Sequence, residues 1–141
     1  MEKAEKISVS DLSIGDWVCA EQLCGVHSEP RLTPPMKVVG LGESWVNLEI
    51  DPEQGDPFEF EPSEIRGVPI TAEVLEKNGF GHNGNKWYTP ELFTLERGLD
   101  YWDIVIACAC GEYVCEVYTI KYVHQLQHAL RLAGVGKEIV L

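Results

Sequence analysis

The chain has 141 residues, with 23 Asp and Glu against 11 Lys and Arg, a formal net charge of −12. Hydrophobic residues make up 45% and charged residues 24%, which excludes a disordered chain; the length fits one ordinary domain or two very small ones. The longest apolar run, Ile104 to Cys110, is far short of the roughly 20 residues of a spanning helix, and the charged start Met1–Lys6 lacks the apolar stretch of an export signal.

These features predict a cytoplasmic protein with no membrane span. Five cysteines in a reducing compartment read as thiols, since an odd number cannot all pair within one chain. The charge is uneven: residues 1–70 hold 14 acids and 5 bases, residues 71–141 hold 9 acids and 6 bases. Glu49 to Glu64 contains seven acids and no base. Such a field repels phosphate backbones and anionic lipid, so direct nucleic-acid binding is not expected.

In chain order, Gly15-Asp16 makes a tight turn before a strand at Trp17-Val18-Cys19. Cys24 to Pro35, rich in Pro, Gly and Ser, reads as a loop. Met36 to Ile50 reads as two strands joined around Gly42-Glu43-Ser44. Trp45, Asn47 and Glu49 alternate there with an apolar face of Val46, Leu48 and Ile50. A turn at Asp51–Pro57 leads to alternating Phe58-Glu59-Phe60-Glu61, stopped by Pro62, and Ile65–Ile70 forms a closing strand. Five short strands in residues 10–70 without a helix predict a small SH3-like β-barrel, because closure removes exposed edges.

Residues 71–141 predict an α+β unit with an antiparallel sheet and a C-terminal helix, so the whole chain is assigned to the α+β class. Thr71 caps a helix over 72–78 that Gly79 stops, with Phe80 folding back. Gly81–Asn85 reads as a loop, Lys86–Tyr88 and Leu92–Leu95 as strands. Tyr101–Ala109 and Tyr113–Tyr118 read as a hairpin that sets Cys108 opposite Cys115. Ile120 to Ala133 has the apolar stripe Val123, Leu126, Leu130 and Ala133, with Thr119 as cap and Gly134 as stop. His124, His128 and Arg131 are expected on its opposite, solvated side. Ile139-Val140-Leu141 reads as a last strand.

Chemical constellations are sparse. His124 and His128, four apart on a helix, are candidate metal ligands, but Gln125 stands where a zinc protease carries its Glu. Cys108 and Cys115 are a second candidate pair, but the irregular cysteine spacing reads first as small buried hydrophobes. Asp51–Asp56 fails as a calcium loop, with Gly one place early and Pro62 at the bidentate position. No cofactor is expected. Of four Trp, Trp45 falls beside Asn47 and Glu49 on the polar side of its strand and is a candidate partner contact.

Three stretches carry a resemblance: Leu12–Val18, Gly67–Thr71 running on to Gly79-Phe80, and Lys121-Tyr122-Val123-His124-Gln125-Leu126-Gln127 before a Gly-terminated helix. Together they resemble a set of small proteins, without an assigned activity, found in gut Bacteroidetes genomes and their phages and mobile elements. The resemblance implies an intracellular accessory protein and carries over no functional residue. The chain departs from the set after Gln127, where His128-Ala129-Leu130 stand in place of Asn and aromatics. The residues leave His124 and Gln125 for the surface, as further candidate partner contacts.

The expected function is a non-enzymatic binding or adaptor module with a protein partner. One alternative is an acidic DNA mimic that inhibits a nucleic-acid enzyme. Another is a metal-dependent hydrolase built on His124 and His128 with a cysteine or acid.

Overall fold

The computed structural model describes residues 7–23, 30–50, 53, 55–89, 93–107 and 114–141, with the backbone alone for residues 23, 30, 106, 107 and 114–118. The chain divides into two compact units, Met1–Val68 and Pro69–Leu141. It is mostly β, with two antiparallel sheets, one of them curled into a half-barrel, and a C-terminal helix.

The first unit contains β1 (Trp17–Leu23), β2 (Pro30–Leu32), β3 (Met36–Leu41), β4 (Val46–Glu49), β5 (Phe58–Phe60) and β6 (Ile65–Gly67). Gly15 turns the chain into β1 with φ +93°. Ser13 N–H donates to the buried Asp16 carboxylate at 2.8 Å, and Gly15 N–H to the Val38 carbonyl at 2.7 Å. Strand β1 is the hub. Val18 pairs with Met36 of β3 and with Gly67 of β6, and Glu21–Leu23 pair with β2. Alternation then fills the inside of the curl with Val18, Ala20, Met36, Val38, Val46, Leu48, Phe60 and Ile65. Apart from Ala20, each such side chain contributes about 1.5–3 kcal/mol of transfer free energy.

Strand β2 corrects the expected loop, whose residues 24–29 lie outside the described ones. Pro30 masked the strand, yet the first residue of a terminal strand needs no ladder donor. Ile50 is a second correction: β4 ends at Glu49, the chain turns, and Ile50 is 53% exposed rather than part of the apolar face. Phe58 shares the side of Phe60 but lies at the end of a terminal strand, 56% exposed.

The outer side of β1 is also covered. Arg66, in register with Cys19, donates from Nε to Glu21 Oε2 at 2.8 Å and from Nη1 to the Ser63 and Ile65 carbonyls at 2.6 and 3.0 Å. This satisfies a guanidinium that is buried in the fold, which would otherwise be costly.

The second unit contains α1 (Ala72–Lys77), β7 (Gly81–Asn83), β8 (Lys86–Tyr88), β9 (Phe93–Arg97), β10 (Trp102–Ala107), β11 (Val114–Ile120) and α2 (Val123–Leu132). Its sheet is a meander in the order β11-β10-β9-β8-β7. Thr71 caps α1 by accepting from Val74 N–H at 3.2 Å. Gly79, at φ +80°, ends it and lets Phe80 N–H return to the Leu75 carbonyl at 3.0 Å. Gly81–Asn83, expected as loop, is a strand. The two-residue turn Gly84-Asn85 folds it onto β8, too short a pairing to show periodicity in the sequence.

Helix α2 starts three residues later than expected. Ile120 is held in the ladder opposite Trp102, and the Thr119 hydroxyl donates to Asp103 Oδ1 at 2.8 Å instead of capping. Gln125 starts the helix: its Oε1 accepts from the N–H groups of Lys121 and Tyr122 at 2.8 and 3.0 Å. Val123, Leu126 and Leu130 are buried as the stripe requires, whereas Ala133, the C-terminal cap, is exposed.

Residues 139–141 form no strand. Val140 instead pairs with a side chain: Asn78 Nδ2 donates to the Val140 carbonyl at 2.9 Å and Asn78 Oδ1 accepts from Val140 N–H at 2.7 Å. The same amide donates to the Val74 carbonyl at 2.8 Å, so one buried residue joins α1 to the C-terminal segment. Asn78→Ala is expected to destabilise the protein by about 1–2 kcal/mol. Hydrogen exchange should show the Val140 amide losing protection before the sheet does, and chemical denaturation gives the energy.

Candidate partner-binding surface

The turn between β3 and β4 is closed by Gly42 N–H donating to the Trp45 carbonyl at 2.9 Å. A Cβ at Gly42 would lie 2.4 Å from the Trp45 indole, and one at Gly40 would lie 3.1 Å from it. The ring therefore rests on a shelf of bare backbone that only glycine provides. Its position is fixed by that contact, yet Trp45 remains 36% exposed.

Register places the neighbours. Asn47 and Glu49 follow Trp45 on the outer side of β4. Glu59 of β5 lies opposite Asn47, and Lys37 of β3 lies opposite Glu49. The bulge between Val38 and Gly40 leaves Val39 exposed beside the shelf. Glu43 in the turn and Glu59 on the neighbouring strand are both exposed. The Lys37 ammonium is 5.2 Å from the Trp17 ring, where the aromatic face attracts it. The surface is thus an indole packed over two glycines, on the same side of the sheet as Asn47, Glu49 and Glu59. Phe58 is exposed too, but it pairs with Leu48 on the inner side of the sheet and so does not join this surface.

The shelf recurs. A Cβ at Gly98 would lie 2.5 Å from the Tyr101 ring, and Gly98 N–H donates to the Tyr101 carbonyl at 2.8 Å. Gly81 is likewise covered by its cross-strand partner Tyr88, at 2.8 Å. Covering an exposed strand glycine with an aromatic ring is a known device of sheets. Gly42-Glu43-Ser44-Trp45 and Gly98-Leu99-Asp100-Tyr101 share one pattern, Gly-x-x-aromatic between two strands. That spacing was the available sequence signal.

The other candidates lie in the second unit. His124, expected at the surface, is buried with 2% exposure. Its ring stacks on Tyr122 at 5.9 Å between centroids and meets the edge of His128, also at 5.9 Å. Tyr122, just before the helix, stacks against this side of α2, which the apolar stripe alone does not reveal. A buried ring offers no contact surface to a partner. The Gln125 oxygen is engaged in the helix start described above.

His124 and His128 do touch, but among the described residues no group of three or more His, Cys, Asp and Glu could hold a metal ion. Zinc sites use three or four protein ligands. Cys108 lies outside the described residues, and the Cys115 side chain does too, although its backbone belongs to β11.

Cys19 is buried in the hub strand, with Sγ 3.6 Å from the Arg66 carbonyl. Burial pushes its thiol above the ordinary value of 9.0, against a smaller opposing pull from the Arg66 charge. Iodoacetamide at neutral pH should therefore modify Cys19 only as the protein unfolds, read by peptide mass spectrometry. The fold favours the protonated thiol, so this contribution to stability is complete below the unfolded value and declines as pH rises above about 9. A second expectation concerns the shelf. Gly42→Ala should displace the indole, red-shift the Trp45 emission and cost about 1–3 kcal/mol, whereas Glu43→Ala in the same turn should change neither.

No protein-family model, curated protein or solved structure matches the chain.

Proposed function

We propose that the chain is a non-enzymatic binding module, its first unit an SH3-like barrel that holds a Lys- or Arg-bearing protein segment against the outer face of β3–β5. The observation that carries the reading is the Trp45 ring, packed over Gly40 and Gly42, 36% exposed, and on the same side of the sheet as Glu49 and Glu59, with Glu43 in the turn before it. A ring that is already immobilised loses little entropy on binding. An indole on a face that carries carboxylates attracts a cation by its quadrupole and by charge together. The resemblance carried by the Lys121–Gln127 stretch supports an accessory role in a phage or mobile element. No helix among the described residues is long and apolar enough to cross a membrane.

The acid run Glu49–Glu64 favours a second reading, an acidic inhibitor that takes the place of DNA on a basic enzyme. Both readings involve a basic partner, and they differ in what holds it. Titration with synthetic peptides graded in Lys and Arg content, monitored by tryptophan fluorescence, separates them. The binding-module reading expects Trp45→Ala to weaken binding at least tenfold, with thermal unfolding almost unchanged, and salt to matter only moderately. The mimic reading expects affinity that collapses with salt and ignores Trp45→Ala. If no basic peptide binds the wild-type chain, both readings are wrong.

A further inference from the structure

The chain has four Asn, and two of them, Asn78 and Asn83, precede a Gly. An Asn-Gly pair is where a side-chain amide reacts most readily with its own backbone. Glycine puts no Cβ beside the attacking nitrogen and leaves the chain free to turn. The fold treats the two pairs in opposite ways. Asn78 is buried; its Nδ2 donates to the Val74 and Val140 carbonyls at 2.8 and 2.9 Å, and its Oδ1 accepts from Val140 N–H at 2.7 Å. Gly79 N–H donates to the Glu76 carbonyl at 3.1 Å, so both reacting groups are held. Asn83, in contrast, ends β7, and Gly84 opens the two-residue turn to β8; both are exposed. Among the described residues, neither the Asn83 side-chain amide nor the Gly84 N–H meets a hydrogen-bond partner. Gly84 sits at φ +64°, and apart from its chain neighbours no atom lies within 4 Å of a Cβ placed there.

We infer that Asn83-Gly84 is a self-modifying site of the folded protein, where the chain converts an amide to a carboxylate without an enzyme, while Asn78-Gly79 stays intact. The Gly84 nitrogen gives its proton to hydroxide and bonds to Asn83 Cγ. The Cγ–Nδ2 bond breaks, Nδ2 takes a proton from solvent, and ammonia leaves behind a five-membered succinimide. Water then opens the ring. Cleavage of the new N–Cγ bond gives aspartate on an unaltered backbone. Cleavage at the original backbone carbonyl carbon gives isoaspartate, with the chain running through the side chain. Overall a water is consumed and an ammonia released, with no oxidation or reduction. The register makes the two products unequal. Lys86 lies opposite residue 83, so an aspartate carboxylate there faces an ammonium. Isoaspartate adds a backbone atom to a terminal strand of three residues, which shifts His82 from its stack on Trp87, 4.5 Å away between centroids. The site lies in the second unit and stands independently of the function proposed above.

The test is incubation of the full folded chain at neutral and mildly alkaline pH in heavy-oxygen water, followed by peptide mass spectrometry. Ring opening places the heavy oxygen in every carboxylate it makes. Asn83 should convert at least tenfold faster than Asn78, with label in the product. The rate should rise with pH, because the Gly84 nitrogen must lose its proton. In guanidinium chloride, where the fold is lost, the two residues should convert at comparable rates. Asn83→Gln should abolish the conversion with unchanged circular dichroism, because a six-membered ring closes far more slowly. An Asn83 as inert as Asn78 in the folded chain, a product without label, or a tenfold difference that persists in the unfolded chain would each overturn the inference.

Discussion

Val18 has a partner on each side, Met36 of β3 and Gly67 of β6, and the first unit depends on that double pairing. The two partners are far apart in the chain, so β1 closes a long loop on one side and a short one on the other. Loop closure grows costly only slowly with length, and the buried core returns more than it costs. Being central, β1 is buried on both sides at Val18, Cys19 and Ala20. The outer side needs its own cover, and Arg66 supplies it. Arg66 spans the β1–β6 pair from Cys19 to Glu21, and its polar atoms end on Glu21 and two carbonyls. Burial beneath it keeps the Cys19 thiol protonated and out of reach, against the smaller opposing pull of the Arg66 charge.

Once β1 is fixed, the outer face of β3–β5 follows. The register of β3 against β4 brings Gly40 opposite Asn47, and the Gly42 turn lays the indole back over both glycines. A side chain at either glycine would lift the ring away. Exposure of Trp45 is therefore a product of close backbone contact, not of a loose loop. A ring held in this way presents one defined face, which suits recognition better than a ring that must first be ordered.

The second unit relies on side chains where backbone ladders stop. Asn78 stands in for a neighbouring strand at Val140, Gln125 takes the donors at the head of α2, and the Trp102 indole donates to the Ile70 carbonyl at 3.3 Å. Buried or half-buried backbone groups must be satisfied, and these are the places where sheet and helix cannot do so. The apolar ends of the same elements, Phe80, Trp87, Leu95, Ile104, Val123 and Leu126, form the buried interior that these bonds enclose.

Local chemistry was legible in the sequence wherever it acts through neighbours in the chain. Thr71 and Gly79 bound α1, Gly15 turns into β1, the Gly42 turn joins β3 to β4, and the Val123, Leu126 and Leu130 stripe marks the buried side of α2, each by a spacing of a few residues. The exposure of Trp45 beside Asn47 and Glu49 followed from period-two alternation, although the glycine shelf beneath it went unread. What the tertiary structure alone decided were matters of distant partnership. Pro30–Leu32 becomes a strand only because Glu21–Leu23 is there to pair with it. Thr119 belongs to a ladder, not a cap, because Asp103 lies opposite. His124 is buried because Tyr122 and the packing around α2 enclose it, while the helical period alone assigned it to solvent. Periodicity reports which residues share a side; it cannot report what lies against that side, because that depends on contacts between residues far apart in the chain.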